Sequence, residues 1–320
     1  MSASFTSLAG SISAVGLTRR FGDTLAVDRL TLSADAGSVT GIIGPNGSGK
    51  STFLRLLVGL VRPDRGEAVV DGVELAGDGT AVRRRCTYAP GELSLYGELR
   101  GGEHLAWFLR GRREALPRAR ELASELGLPL DAKVHAYSHG MKRQLLFVAA
   151  LAPDVRVRIL DEPTEGLDPS KRGIVLGLLA DDVARGTTVL LSSHHLGEVD
   201  HSCDRLVFFH QGRLLADESP AALRERARRL VHLSFAEGPE LSGGADLDLL
   251  ARRLEALGPR GSIEVARRGR RLVVSLAQED PRAFLRALAE APDLPPPATL
   301  EYGQLGLRDL YRDLYGVEGL

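Results

Sequence analysis

The sequence is short of several residue types, and each shortage narrows the classes of protein to which it can belong. Its 320 residues include 2 cysteines, and aromatic residues make up only 5% of the chain. An excess of charge of one sign is also lacking, because 41 lysine and arginine residues balance 42 aspartate and glutamate residues. The formal net charge of −1 creates no overall field that would draw the chain to DNA or anionic lipid, so we expect no nucleic-acid partner.

Targeting and membrane signals are absent from the sequence as well. Cys86 and Cys203 are far apart and lack metal-ligand spacing, which favours free thiols and a cytoplasmic location. Residues 1–10 have neither a basic start nor an apolar block, so we expect no signal peptide there. No run approaches the roughly 18 apolar residues that a membrane helix needs. If the protein works at a membrane, a separate chain must cross it.

Lysine is the scarce residue whose position is most informative. It occurs only at positions 50, 133, 142 and 171, whereas every other basic residue that carries a full charge is arginine. The preference for arginine over lysine is a bias of composition. Lys50 is one of the few positions that depart from it. Lys50 lies in a stretch, residues 39–52, that reads Val-Thr-Gly-Ile-Ile-Gly-Pro-Asn-Gly-Ser-Gly-Lys-Ser-Thr.

This stretch predicts a strand, a phosphate-binding glycine loop and a helix in succession. Glycines add no side-chain bulk, so backbone N–H groups can turn onto phosphate oxygens, and the following helix directs its positive end to the same place. Lys50 would meet the β and γ phosphates, and Ser51 would offer its hydroxyl to Mg²⁺. The alternative is a glycine-rich turn that binds nothing. The loop's candidate phosphate-binding residues are Gly44, Pro45, Asn46, Gly47, Ser48, Gly49, Lys50, Ser51 and Thr52.

Two other apolar runs end in polar side chains that suit the same site. The run 155–160 is followed by Asp161, a candidate Mg²⁺ ligand, and Glu162, a candidate to orient or deprotonate water. The run 187–193 is followed by His194, a candidate sensor of the γ-phosphate. In α/β sheets the carboxyl ends of strands converge on one crevice, so we expect these side chains to meet there. The alternatives are that Asp161 and Glu162 belong only to a solvated turn and that His194 has only a structural role.

Three further features carry weaker predictions. Ser138 stands where a helix N-cap would, and Gly140 leaves the backbone approachable, so residues 138–141 are either a second anion site or only a cap. Phe21 precedes the phosphate strand and either stacks on adenine or belongs to a satellite core. Arg156 and Arg158 are unusual in a buried strand, and we expect both to lie at its open beginning and extend into solvent.

Together these residues resemble the motifs of an ABC transporter ATP-binding subunit, and the resemblance covers about residues 12–225. In that family the corresponding elements are Walker A at 44–52, Walker B at 155–162, the signature at 137–141, the D-loop at 166–168 and the switch histidine at His194. The resemblance implies that these further residues contact ATP: Phe21, Glu92, Ser138, His139, Gly140, Met141 and Asp168.

The resemblance also implies a fold. We expect an α/β P-loop NTPase core with an antiparallel β subdomain and an inserted helical subdomain at about 95–150, together spanning 12–227. Residues 1–11 read as a flexible tail. Strand-like and helix-like runs after the change of composition predict a small C-terminal α+β domain at 228–320, either a packing or a dimerisation module.

The activity that the resemblance implies is ATP hydrolysis with Mg²⁺, performed by two units paired head to tail. The partners would be a second copy or a paralogous subunit and a separate multi-span membrane subunit, with the chain peripheral on the cytoplasmic face. An exporter is favoured because this chain has one nucleotide unit and a C-terminal extension. Two alternatives remain open: a soluble ABC ATPase not linked to transport, and a regulatory binder that senses ATP without turnover.

The sequence departs from the family pattern at two places. In the lid loop, Gly91 follows Pro90 where the family has glutamine, and Glu92 comes one residue later. Either Glu92 takes over the contact to Mg²⁺ or water, or that contact is missing. In the signature, His139 and Met141 replace glycine and glutamine. We therefore expect hydrolysis that is slower than in members with the full pattern.

Overall fold

The computed structural model describes residues 12–302 apart from 93, 196, 198–200, 236–243, 260–262, 269–270 and 277–279. These residues form two compact units, which divide between Ser219 and Pro220. The predicted boundary, at 227–228, was placed at the change of composition and lies later in the chain than this division. A helix that precedes that change therefore groups with the second unit.

The first unit contains ten strands and six helices in its described part. Its strands are β1 (Ile12–Phe21), β2 (Thr24–Ala34), β3 (Val39–Ile43), β4 (Arg65–Val70), β5 (Val73–Glu74), β6 (Cys86–Ala89), β7 (Val157–Leu160), β8 (Thr188–Ser193), β9 (Arg205–His210) and β10 (Arg213–Glu218). Its helices are α1 (Lys50–Leu57), α2 (Thr80–Arg83), α3 (Gly101–Phe108), α4 (Leu116–Glu125), α5 (His139–Leu151) and α6 (Pro169–Ala184).

A six-stranded sheet in the order β10-β9-β3-β8-β7-β6 forms the centre of this unit. Its strands run parallel except β10, which pairs antiparallel with β9. Both β3 and β8 are buried along their whole length, as expected for central strands of a parallel sheet covered on both faces. The three neighbours β3, β8 and β7 end side by side, so the residues that follow them meet at one edge, as predicted.

The antiparallel part is a four-stranded sheet in the order β2-β1-β4-β5. Its long strands β1 and β2 pair from Ile12 opposite Ala34 to Phe21 opposite Thr24. Alternate residues of β1 and β2, among them Leu17, Val27 and Leu32, are buried in one core with residues of β3, α1 and β7. The α/β class with an antiparallel part is therefore confirmed.

The helical part lies within the predicted insert. Helices α3, α4 and α5 pack against one another, and α4 buries Ala119, Leu122 and Ala123. The carboxylate of Glu103 accepts a hydrogen bond from the backbone N–H of Arg100 at 2.6 Å, which caps the start of α3. These contacts build a small helical layer whose last helix, α5, begins at the signature.

The prediction that Arg156 and Arg158 both extend into solvent is wrong for Arg158. Strand β7 begins at Val157, so Arg156 precedes the strand and is exposed, whereas Arg158 lies inside the sheet and is 4% exposed. Its guanidinium pairs with Asp182 of α6 and donates to the carbonyl of Ala150 at 2.7 Å. A partner 24 residues downstream therefore makes burial of this charge possible.

The second unit is an α+β arrangement, as the sequence predicts. Its helices are α7 (Pro220–Ala227), α8 (Gly244–Glu255) and α9 (Pro281–Glu290), and its strands are β11 (Leu230–Ser234), β12 (Ile263–Arg268), β13 (Arg271–Leu276) and β14 (Thr299–Tyr302). The strands form one antiparallel sheet in the order β12-β13-β11-β14. Leu254 of α8 and Phe284 of α9 share a core with Leu272 and Val274 of β13.

Candidate active site

A cavity of about 480 Å³ opens at the carboxyl ends of β3, β7 and β8. The strands bring together three separate parts of the sequence here, the glycine loop, the acidic pair and the histidine. The predicted residues that line the cavity are Asn46, Gly47, Ser48, Gly49, Lys50, Ser51, Thr52, Glu92, Asp161, Glu162 and His194. Residues 24–26 of β2, Gly91, Glu165 and Gln211 complete the lining, and the sequence patterns did not single them out as binding residues.

The glycine loop has no room for side chains at two of its positions. A Cβ at Gly44 would lie 2.4 Å from the carbonyl oxygen of Phe209, and one at Gly49 would lie 2.3 Å from that of Ala26. Gly49 also has φ of 102°, in the left-handed region that favours glycine. The loop therefore passes close to two neighbouring strands, and its backbone is held in place before α1 begins.

Lys50 reaches back across this loop. Its ammonium donates to the carbonyl oxygens of Gly44 at 2.7 Å and Pro45 at 3.2 Å, and it lies 3.5 Å from the carboxylate of Glu162. The side chain is 5% exposed, and burial lowers the pKa of its amine. A desolvated cation at the N-terminus of a helix is well placed to attract a polyphosphate.

Glu162 is held by both its backbone and its side chain. Its φ of 51° is unusual for a residue other than glycine, and such conformations persist where the surrounding structure enforces them. The backbone N–H of Glu162 donates to Ser192 Oγ at 3.0 Å. Its carboxylate accepts from the backbone N–H of His194 at 3.2 Å, and Nδ1 of His194 lies 3.0 Å from the same oxygen. The predicted base and the predicted sensor are therefore in direct contact.

Asp161 presents one free carboxylate oxygen to its surroundings. Its Oδ1 accepts from the hydroxyl of Ser192 at 2.6 Å, whereas Oδ2 is buried and has no hydrogen-bond partner among the described residues. A buried carboxylate oxygen of this kind needs a partner, and a cation supplies one. Ser51 lines the same cavity, so the donor set fits Mg²⁺, which usually takes one or two protein oxygens and completes its shell with water and phosphates.

Glu92 lines the cavity but directs its carboxylate to another residue. Nη2 of Arg55, on α1, lies 2.7 Å from Glu92 Oε1, and this contact raises the pKa of Arg55. In the lid loop, Gly91 is close to Asp161, since a Cβ there would lie 3.1 Å from Asp161 Oδ2. Of the two alternatives left open by the sequence, this arrangement favours a missing side-chain contact.

The signature residues lie outside this cavity. Ser138 caps α5, its Oγ accepting from the backbone N–H of Met141 at 3.2 Å. Neither these two nor His139 and Gly140 appear in the cavity's lining among the described residues, and His139 lines a neighbouring cavity instead. Asp168 likewise caps a helix, α6, by accepting from the backbone N–H of Lys171 at 3.0 Å. The ATP contacts assigned to these residues stay predictions.

Phe21 stands at the end of β1 with 46% of its surface exposed. The guanidinium of Arg19 lies 4.6 Å from the centre of its ring. The alternative of a satellite core does not suit this exposure. The stacking of Phe21 on adenine stays a prediction, although neighbouring residues 24–26 line the cavity.

The architecture and the sequence match known proteins. A family model described as ABC transporter matches residues 27–165. The chain is 35% identical over 282 residues to the daunorubicin/doxorubicin resistance ATP-binding protein DrrA of Streptomyces peucetius, which covers 86% of this chain and 83% of that protein. The chain belongs to the ABC transporter family.

Other members of the ABC transporter family extend the comparison. Nod factor export ATP-binding protein I of Rhizobium sp. (strain N33) is 37% identical over 221 residues, 67% of this chain and 72% of that protein. A solved structure of an ATP-binding subunit of an ABC transporter aligns with a TM-score of 0.61 and 30% identity, covering 67% of this chain and 92% of that one. The chain is thus an ABC ATP-binding subunit, and its reaction is ATP hydrolysis that powers transport.

Proposed function

We propose that this subunit drives export through a separate, multi-span membrane subunit, on whose cytoplasmic face it is peripheral. The observation that carries the proposal is the match to DrrA, a protein named for drug resistance, across most of both chains. Further support comes from the relative named for Nod factor export. None of the described helices combines the length and the apolar character that a membrane crossing requires.

Within the cavity, each residue has a proposed part in hydrolysis. Lys50 binds the β and γ phosphates, and Glu162, oriented by His194, accepts a proton from the attacking water. Asp161 and Ser51 would hold Mg²⁺, which would neutralise charge on the phosphate oxygens. Support comes from the buried unpartnered oxygen of Asp161 and the 3.0 Å contact between His194 and Glu162.

We further propose that two subunits, identical or paralogous, pair head to tail around ATP. The position of Ser138 outside its own chain's cavity supports this, because a facing copy can then bring Ser138 and Gly140 to the γ-phosphate. Backbone at Gly140 approaches the D-loop closely, since a Cβ there would lie 2.8 Å from the carbonyl oxygen of Gly166. ATP drives closure only because it contacts the closed pair more than the open one.

Pairing is tested with Glu162→Gln, which retains the side chain's shape but removes its basicity. With ATP and Mg²⁺, light scattering should show this variant as a dimer, and hydrolysis-competent wild type mostly as a monomer. Lys50→Ala is the control that should stay monomeric because it binds ATP poorly. A monomer in Glu162→Gln with ATP bound would contradict head-to-tail pairing.

Export is tested by isolating the tagged chain from membranes with detergent. We expect a polytopic protein to copurify and the pair of proteins, in vesicles, to hydrolyse ATP faster than the subunit alone. A chain that stays in the soluble fraction and hydrolyses ATP without a membrane partner would favour the alternative of a soluble ABC ATPase. Phosphate release by the purified chain would exclude the alternative of a regulatory protein that binds ATP without hydrolysing it.

A further inference from the structure

The lid segment, residues 90–92, lies against the proposed metal ligand through its backbone. Gly91 is so close to Asp161 that a Cβ would lie 3.1 Å from Oδ2, the carboxylate oxygen that has no partner among the described residues. A larger residue at this position, including the glutamine usual in the family, would require Asp161 or the lid segment to shift by a few tenths of an ångström. The peptide at Gly91, and not a side chain, therefore borders the metal position.

Arg143 holds this peptide from the side of the helical insert. This residue of α5 is 3% exposed, and its Nη1 donates to the carbonyl oxygen of Gly91 at 2.5 Å and lies 3.5 Å from that of Pro90. Its Nη2 pairs with the carboxylate of Glu165. Glu165 in turn lines the cavity that contains Lys50. A buried guanidinium thus joins the lid segment, the segment after Asp161, and the helix that begins at Ser138.

The other side of the lid segment is held by α1. Arg55 pairs with Glu92 at 2.7 Å, but both side chains are partly exposed, and exposed pairs contribute little to rigidity. The contact of Arg143 is different because its charge is desolvated. Removing the guanidinium takes away its hydrogen bond to the Gly91 carbonyl oxygen, whereas Glu165, at 41% exposure, stays hydrated. Arg143 is therefore the stronger of the two restraints on Gly91.

We propose that Arg143 is a positioning residue that fixes the Gly91 peptide beside Asp161 and links the metal site to the signature helix. In this chain, a buried arginine that binds lid-loop carbonyls takes the place of the lid-loop side chain that is usual in the family. The inference rests on the proposed role of Asp161 as an Mg²⁺ ligand. Groups that orient a metal ligand without touching the metal typically change metal affinity or activity by about 10- to 100-fold when mutated.

The test measures how strongly Mg²⁺ tightens nucleotide binding. We define the magnesium factor as the Kd of a fluorescent ATP analogue, mant-ATP, in EDTA divided by its Kd in saturating Mg²⁺. Arg143→Met should lower this factor by about tenfold, while binding in EDTA stays unchanged because Lys50 and the glycine loop are intact. Arg143→Lys, which retains the charge but not the forked donors, should recover part of the loss.

The matched control is Arg158→Met, which also removes a buried arginine from this unit. Arg158 pairs with Asp182 and does not line the cavity, so this variant should lose stability but keep the wild-type magnesium factor. A general loosening of the unit would instead lower the factor in both variants, which would overturn the inference. Should Arg143→Met fail to fold, the comparison of Arg143→Lys with wild type decides the question.

Asp161→Asn separates failure of the inference from failure of the proposed metal role. If Asp161→Asn lowers the magnesium factor and Arg143→Met and Arg143→Lys both leave it within about twofold of wild type, the positioning role is wrong and the metal role stands. If Asp161→Asn also leaves the factor unchanged, Asp161 is not the metal ligand, and the positioning role fails with it. In steady state, Arg143→Met should lower kcat more than it changes KM for ATP.

Discussion

At the scale of single residues, Lys50 and Glu162 illustrate how the cavity balances buried charge. Their side chains lie 3.5 Å apart with 5% and 11% exposure, so each offsets part of the other's desolvation. Burial nevertheless lowers the pKa of Lys50, since the carbonyls of the loop and one carboxylate do not fully replace water. A triphosphate would supply several charge-assisted hydrogen bonds to the same amine.

Lys50→Ala should weaken ATP binding by about 10- to 100-fold, because hydrogen bonds to charged groups contribute about 1.5–3 kcal/mol each. Isothermal titration with ATP measures the change. Lys133→Ala is the matched control, because Lys133 pairs with Glu98 on the surface. This variant should bind ATP as the wild type does. An identical binding curve before and after the Lys50 change would mean that the cavity is not a nucleotide site.

Glu162→Gln should slow phosphate release by about 10²- to 10⁴-fold, the usual contribution of a general base. ATP affinity should be retained, because the amide can still accept the hydrogen bond from the backbone N–H of His194. A phosphate-release assay beside a binding titration separates the two effects. Hydrolysis at the wild-type rate would assign the base to a different residue.

At the scale of elements, the six-stranded sheet has the cavity at the carboxyl end of β7 and a buried ion pair near the start of the same strand. Strand β7 places Asp161 and Glu162 just past its carboxyl end, and Arg158 faces inward nearer its start. The guanidinium of Arg158 binds Asp182, the backbone carbonyl of Ala150 near the end of α5, and that of Pro153 in the segment that joins α5 to β7. It thereby ties α6 and the end of α5 to the strand that precedes Asp161 and Glu162.

Arg158→Met should lower the free energy of unfolding by about 3 kcal/mol, since it leaves the buried Asp182 carboxylate with less compensation. The double variant Arg158→Met/Asp182→Leu should be clearly more stable than the single one, because no uncompensated charge stays buried. Urea unfolding of the wild type, both single variants and the double variant measures the coupling. Additive losses would mean that the two side chains stabilise the fold independently.

At the scale of the whole molecule, the nucleotide cavity belongs to one unit. Its lining runs from Thr24 to Gln211, and no lining residue comes from the described part of the second unit. The match to DrrA nevertheless extends over 86% of this chain, which is more than the first unit alone. The sequence match therefore extends into the second unit, whose described residues do not line the cavity.

A chain that ends at Ser219 should fold and bind ATP with a Kd within about twofold of the full chain. The reason is that every described contact to the phosphate loop comes from before the division between the units. Titration calorimetry compares the two chains, and urea unfolding shows whether the shorter chain is folded. A folded but non-binding short chain would show that the second unit contributes to the nucleotide site.

The sequence by itself determined the parts of this protein that depend on near neighbours along the chain. The glycine spacing before Lys50, the acids after β7 and the histidine after β8 are short patterns whose local conformations follow from residue type. The rule that parallel strands present their carboxyl ends at one edge then predicts that these parts meet. Together these motifs carry the resemblance to the ABC family, and that resemblance implied ATP hydrolysis and the P-loop fold.

Only the tertiary structure decided which distant side chains support that edge. Ser192 binds Asp161, Arg143 binds the Gly91 peptide, and Arg158 binds Asp182, and in each case the partners are more than twenty residues apart. The sequence alone predicted that Arg158 lies at the open beginning of the strand and extends into solvent. Burial of a charge depends on a partner that folding brings close, and spacing along one sequence does not reveal that partner.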